Sequence, residues 1–331
     1  MMKQLVTLAG ILALQACVVG DAGSLPTDNG DGVPIEPMPN GSGGNPVGAP
    51  APTGGTVGFV LAHGLDGSAD SFDPAIVAAL TAAGYAVLRD DVPGVDSVAV
   101  RAAALGTQID AFMAANHLDH VHIIAHSMGG LDARYLISTL HYAAKVKSLT
   151  TLSTPHRGSP LADLGLGITS SLDASQEDAI LAIGKLLGTD VDKAALNRAL
   201  VDLSEKQAPV FNAANPDAAG VVYYSYAGYS SVGGLTNPHA AALCAVPSAT
   251  TPDPSSLPRA LDLVGPIVAG GFALRAHDGV VPIDSSKWTG FLGCIPTDHL
   301  DITRAGEKAP TDLDLPLVPF YLQIAARVAP L

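Results

Sequence analysis

The sequence predicts an α/β fold, a mostly parallel central sheet flanked by helices. Two observations carry this reading. Short apolar runs alternate with helical-period segments from about residue 56 onward. Strands that alternate with helices in this way form a mostly parallel sheet covered on both faces. One of them, Val121 to Ile124, passes through a turn of small residues, Ala125-His126-Ser127-Met128-Gly129-Gly130, into a helix.

The elements follow in order. Thr56 to Ala62 reads as a buried strand ending in His63-Gly64. Asp73 to Ala83 is Ala-rich and helical, and Gly84 stops it. Tyr85 to Leu88 is the next strand, and Val98 to Asn116 is a helix with Ser97 as its N-cap. Val121 to Ala125 is a strand and Leu131 to Tyr142 a helix. Val146 to Leu152 and Val221 to Ala227 complete the assigned strands. Residues 160–217 are mainly helical and interrupt the alternation, so they read as a candidate lid or cap. Ordinary crossover helices packed on the sheet are the alternative.

Composition limits the partners. The chain has 331 residues, 48 % hydrophobic and 15 % charged, enough for a large core. Lys+Arg is 17 against Asp+Glu 31, a net charge of -14, which argues against nucleic acid or an anionic membrane surface. An uncharged substrate is compatible with that balance.

The first residues read as an export segment. Lys3 precedes an apolar run from Leu5 to Leu14, too short for a bilayer span of about 20 residues. Leu14-Gln15-Ala16-Cys17 resembles a lipoprotein signal, in which the cysteine is acylated after cleavage. Residues 1–16 are thus expected to be a signal peptide and Cys17 a lipid-attachment site, placing the chain at an outer membrane or cell surface. A plain secretory signal is the alternative. Residues 17–55 are expected to be a tether, because 18–55 contain ten Gly and seven Pro with no aromatic, Lys or Arg. Its random-coil reach is on the order of 35 Å. Residues 56–331 are then one catalytic domain.

The chemistry centres on Ser127. A strand, a tight turn and a helix form a nucleophile elbow, and its cramped backbone needs small residues two positions before and after the serine. Ala125 and Gly129 stand there. A serine hydroxyl needs a base to take its proton, and in this arrangement the order is serine, acid, histidine. His299 is the last histidine in the chain and the expected base. His141 lies on the helix following the elbow and points away, and His156 follows the next strand, too early to leave room for an acid loop. Asp278, in His277-Asp278-Gly279-Val280-Val281-Pro282, is the expected acid, at a strand end, with Asp262, Asp284 and Asp301 as competitors. Two backbone N–H groups are expected to hold the oxyanion: Met128, after the nucleophile, and Leu65, after the first strand. His63 is expected to brace that loop.

These motifs resemble those of bacterial and fungal triacylglycerol lipases of the α/β-hydrolase superfamily. The matching segments are His63-Gly64-Leu65, Ala125 to Tyr135, Ser148 to Ser159, Asp278-Gly279 and His299-Leu300-Asp301, in that order. The resemblance implies a lid over an acyl pocket and acylglycerol or other ester substrates at a lipid–water interface. It implies no required cofactor. Some bacterial members hold calcium near the catalytic histidine; Asp301 matches one carboxylate of that site and Asp262 another, while Arg304 is an unfavourable neighbour for such a cation.

Related bacterial lipases carry a disulfide in the region of Cys244 and Cys294. If Cys17 is lipidated, these two remain as a pair, with two free thiols as the alternative. The expected activity is triacylglycerol hydrolysis through an acyl-enzyme on Ser127. Alternatives are a carboxylesterase for short soluble esters, a polyester depolymerase, or a catalytically inert binding protein of the same fold. The oligomeric state is left open by the sequence.

Overall fold

Strand β1 (Gly58–Ala62) is fully buried, and its side chains divide between two cores. Phe59 and Leu61 point into one, Val60 and Ala62 into the other. This two-sided burial is why the run reads as continuously apolar rather than alternating. The computed structural model describes residues 57–167, 192–231, 243–244, 255–256, 265–270, 275–303 and 317–331. Cys17, the export segment and the tether lie outside these residues.

Around β1 the sheet adds β2 (Ala86–Arg89), β3 (Val121–His126), β4 (Val146–Leu152), β5 (Val222–Gly228) and β8 (Phe291–Ile295). The order is β2-β1-β3-β4-β5-β8, and every pairing is parallel. A separate parallel pair joins β6 (Ser230–Ser231) to β7 (Ser255–Ser256). Parallel neighbours need crossovers, and helices supply them on both faces. Helices α1 (Pro74–Ala82) and α8 (Leu317–Val328) cover the Phe59 face, with Ile76, Leu80, Phe320, Tyr321 and Ile324 in its core. Helices α2 (Val98–Asn116) and α3 (Met128–Ser138) cover the Val60 face through Leu105, Ile109, Leu136 and Ile137.

The caps agree with the sequence. Asp73 accepts from the Ala75 N–H at the start of α1, and Ser97 accepts from Val100 at the start of α2. The helix after the elbow differs from expectation. It begins at Met128 rather than Leu131, because its first turn grows directly out of the Ser127 turn and includes Gly129 and Gly130. It ends at Ser138 rather than Tyr142, because His141 adopts a left-handed conformation and a short 3-10 turn follows at Tyr142–Ala144.

Of residues 160–217, the described parts are α4 (Pro160–Gly165), α5 (Lys193–Leu203) and α6 (Ala208–Ala214). Residues 168–191 lie outside the described set. Leu161, Ala162, Leu200 and Leu203 form a third apolar cluster with Met128 and Leu131. Helix α7 (Ile283–Ser286) follows the Asp278 turn, and two further elements extend the sequence reading. Strand β8 contains Gly293 at φ 135 and only one buried residue, so it lacks a strand's apolar pattern. Helix α8 buries Leu317, Phe320, Tyr321, Ile324 and Val328, a clear helical stripe.

Cys244 and Cys294 form a disulfide. It ties the edge strand β8 to a residue 50 positions earlier in the chain. Closing a loop of that length stabilises the fold by about 4 kcal/mol in the chain-entropy account.

Candidate active site

The site lies at the carboxyl ends of the parallel strands, where an open α/β sheet leaves a crevice. Ser127 follows β3 and has φ 52 and ψ -128, a left-handed backbone that a non-glycine residue adopts at a cost. Two hydrogen bonds hold it there. The Ser127 N–H donates to the Leu152 carbonyl at 2.9 Å, and the Gly130 N–H donates to the Ser127 carbonyl at 3.1 Å. The small residues after the serine are a steric requirement. A Cβ on Gly129 would lie 2.6 Å from the His63 carbonyl oxygen and 2.7 Å from that of Ala62.

Ser127, His299 and Asp278 form one hydrogen-bonded line. Ser127 Oγ is 2.9 Å from His299 Nε2, and His299 Nδ1 is 2.8 Å from Asp278 Oδ2. A carboxylate only accepts, so Nδ1 carries the proton and Nε2 presents its lone pair to the serine hydroxyl. The His299 N–H also donates to the Asp278 carbonyl at 2.9 Å, fixing the two loops to each other.

Asp278 is fully buried. Burial opposes its charge, but the charge and hydrogen bond of His299 and the N–H groups of Val281 and Val280 outweigh it. Its carboxyl is therefore held below the ordinary carboxylate range. Those N–H groups reach Oδ1 at 2.7 and 3.0 Å. Among the described residues no strand leads into Asp278, contrary to the sequence reading. A tight turn closed by a bridge between His277 and Pro282 presents it instead.

The Thr154–Ser159 segment braces this turn. Ser159 Oγ donates to the Val280 carbonyl at 2.6 Å, and Ser285 Oγ donates to the Gly158 carbonyl at 2.6 Å. His156 is fully buried, stacked on Trp288 at 5.0 Å, with Nε2 3.0 Å from Thr151 Oγ1. Among the competing acids, Asp284 pairs with Arg275 at 3.0 Å, and Asp262 lies outside the described residues.

Leu65 and Met128, whose N–H groups the sequence reading expects to hold an oxyanion, lie on the two segments that meet at the serine. Leu65 lies on the loop after β1, and Met128 opens α3, where the helix dipole is positive. Among the described residues neither N–H is used in a hydrogen bond. His63 braces this loop. Its Nδ1 donates to the Gly64 carbonyl at 2.8 Å, and its own N–H donates to Asp90 Oδ1 at 2.9 Å. Burial, then the Arg101 charge, pushes the His63 imidazole down to about 4, so it is neutral.

A cavity of about 140 Å³ opens beside Ser127 and His299. Its lining includes the apolar side chains of Leu65, Leu161, Leu200, Leu203, Val280 and Leu300. The site therefore joins a hydrogen-bonded hydroxyl to a surface that suits a hydrocarbon chain.

The sequence alone does not single out His126. Its Nε2 donates to the His299 carbonyl at 2.9 Å, and the two rings lie 4.7 Å apart. No spacing rule announces a contact between residues 173 positions apart. On the His299 loop, Asp298 Oδ1 accepts from Leu300 and Asp301. Burial, then the charge of Asp301, pushes Asp298 up to about 7. No group of three or more His, Cys, Asp or Glu suited to a metal occurs among the described residues. The chemistry below is routed through no metal.

The profile of the alpha/beta hydrolase fold matches residues 59–248, more than half of the chain. The chain belongs to that family. It is 31 % identical over 239 residues to triacylglycerol lipase 2 of Saccharomyces cerevisiae, covering 70 % of this chain and 62 % of that protein. It is 27 % identical over 204 residues to a triacylglycerol lipase of Vibrio cholerae, covering 54 % and 65 % respectively. The chain thus spans less than two thirds of the length of either relative. In structure it resembles a metagenomic carboxyl esterase, with a TM-score of 0.61, 21 % identity and coverage of 88 % and 80 %. It also resembles a Staphylococcus hyicus lipase, with a TM-score of 0.57, 16 % identity and coverage of 87 % and 98 %. At these identities the structural likeness shows the fold.

Proposed function

We propose that this chain is a serine carboxylic ester hydrolase acting on fatty acyl esters of glycerol. The observation that carries the reading is the Ser127–His299–Asp278 line opening onto an apolar cavity. The two triacylglycerol lipases among its relatives support it.

In this reading His299 Nε2 takes the hydroxyl proton as Ser127 Oγ bonds to the ester carbonyl carbon. The carbonyl π pair moves to oxygen, where the Leu65 and Met128 N–H groups hold it. Asp278 keeps Nδ1 protonated and stabilises the imidazolium. The carbon–oxygen bond to the alcohol then breaks, and His299 returns the proton to the departing alkoxide. Water repeats the sequence on the acyl-enzyme and releases the fatty acid. The acyl chain lies against Leu161, Leu200 and Leu203, and residues 160–217 act as the lid.

Activity on emulsified long-chain triglyceride, compared with short soluble esters, tests the substrate class. Preference for the long-chain emulsion supports the reading. Cleavage of short soluble esters alone would replace it with a carboxylesterase, as one structural neighbour is named.

The rest of the sequence reading is proposed with it. Residues 1–16 are removed, Cys17 carries lipid, and 17–55 tether the enzyme at the cell surface. Labelled palmitate should enter the wild type and not Cys17→Ala. Calcium enters only as a structural adjunct at Asp301 and Asp262, read as a lower melting temperature after chelation.

A further inference from the structure

We propose that Arg101 is a positioning residue that aims both oxyanion donors, an inference that rests on the ester-hydrolase reading above. Arg101 lies in the first turn of α2 and is fully buried. All of its side-chain nitrogens are engaged: two bonds go to the loop after β1, two to the loop after β2 and one to α3. Nη2 donates to the carbonyls of His63 at 2.8 Å and Gly64 at 3.2 Å. Nη1 donates to the carbonyls of Pro93 at 2.6 Å and Gly94 at 3.0 Å. Nε donates to Asp132 Oδ2 at 2.8 Å.

The consequence follows from peptide planarity. The Gly64 carbonyl and the Leu65 N–H belong to one peptide unit, and in a trans unit they point in opposite directions. Turning the Gly64 oxygen toward Arg101 turns the Leu65 N–H the other way. The backbone after Leu65 is fixed by the same guanidinium. The Asp66 N–H donates at 2.7 Å to the Gly94 carbonyl, which Arg101 also holds. The Leu65 N–H is thus bracketed between two points that one side chain anchors.

The second donor is tied in through Asp132. That residue lies one helical turn after Met128 on α3, so the Arg101–Asp132 pair fixes the helix whose first N–H is the other donor. Only a planar fork can hold carbonyls on two loops and a carboxylate together. A side chain serving stability alone would need the ion pair and not the carbonyls around Leu65.

The test compares kcat for a p-nitrophenyl ester and the matching thionoester, in wild type, Arg101→Lys and Arg101→Met. Active sites are counted with a fluorophosphonate. Sulfur accepts hydrogen bonds weakly, so a thionoester gains little from the oxyanion donors. Loss of donor aim should lower ester kcat by about 10²- to 10³-fold. The thionoester should lose less than about tenfold, with KM for both nearly unchanged. Arg101→Lys keeps the buried charge opposite Asp132, so it decides the matter if Arg101→Met does not fold. Equal losses on both substrates, or an unchanged ester rate in Arg101→Lys, would overturn the proposal. A wild type inactive on the ester would instead remove the ester-hydrolase reading itself, and this positioning role with it.

Discussion

His126 Nε2 donates a hydrogen bond to the backbone carbonyl of His299 at 2.9 Å, so the residue before the serine holds the loop that carries the base. The geometry couples the elbow to the histidine loop independently of the Ser127–His299 contact. Loss of one such bond is worth about 1 kcal/mol, or about fivefold in rate if it is felt in the transition state. His126→Ala should lower kcat by that factor with little change in KM. His126→Gln, which keeps a donor, should recover most of it. Equal kinetics for Ala and Gln would show that the bond does not matter.

The acid is expected to matter far more. Asp278→Asn keeps the shape but offers the wrong partner to His299 Nδ1, so kcat should fall by about 10⁴. Steady-state rates at saturating ester, with a circular dichroism check of folding, measure this. A fall of less than tenfold would shift the acid role elsewhere on the loop.

Backbone sterics separate two glycines. Gly129→Ala places a Cβ against the carbonyls of Ala62 and His63, which are fixed in the sheet and its loop. It should abolish activity and lower stability by several kcal/mol, about the scale of severe overpacking. Gly220→Ala meets nothing within 4 Å and strains only a φ of 84. It should cost about 1 kcal/mol and leave kcat unchanged. Denaturant melts of the pair provide the comparison, and similar behaviour of both would contradict it.

Fold and site differ in how far the sequence reveals them. Strand β1 is legible because burial on both faces makes it continuously apolar, and β3 and β4 are legible from their apolar residues Val121, Ile123 and Ile124, and Val146, Leu149 and Leu152. The elbow is legible because Gly129 and Gly130 have no room for a Cβ. Strand β8 is hidden by its glycine and its half-exposed edge position. The turn around Asp278 reads as a strand end because its Val280-Val281 pair is apolar, yet those residues supply N–H groups to the carboxylate. Arg101 and His126 are invisible as partners because their bonds join residues up to 173 positions apart.

Asp90 gives a pH signature. It is buried beneath the Leu65 loop, and burial pushes its carboxyl up to about 8. In the unfolded chain it titrates near 4. Between those values folding takes up a proton, so rising pH costs stability, at most about 1.4 kcal/mol per pH unit. The contribution is fully present below the unfolded value and is lost as pH rises through about 8. Asp90→Asn still accepts the His63 N–H and cannot ionise. Its melting temperature relative to wild type should rise steadily from pH 4 to 8 and then level off. A difference that does not vary with pH would show that Asp90 ionises freely in the fold.

The central claim is that Ser127 is the nucleophile of an ester hydrolase, and ester hydrolysis by purified Ser127→Ala tests it most directly. The account predicts loss of all but trace turnover, about 10⁶-fold below wild type, together with loss of labelling by a fluorophosphonate that marks the wild type once per chain. Retained hydrolysis in folded Ser127→Ala would contradict it.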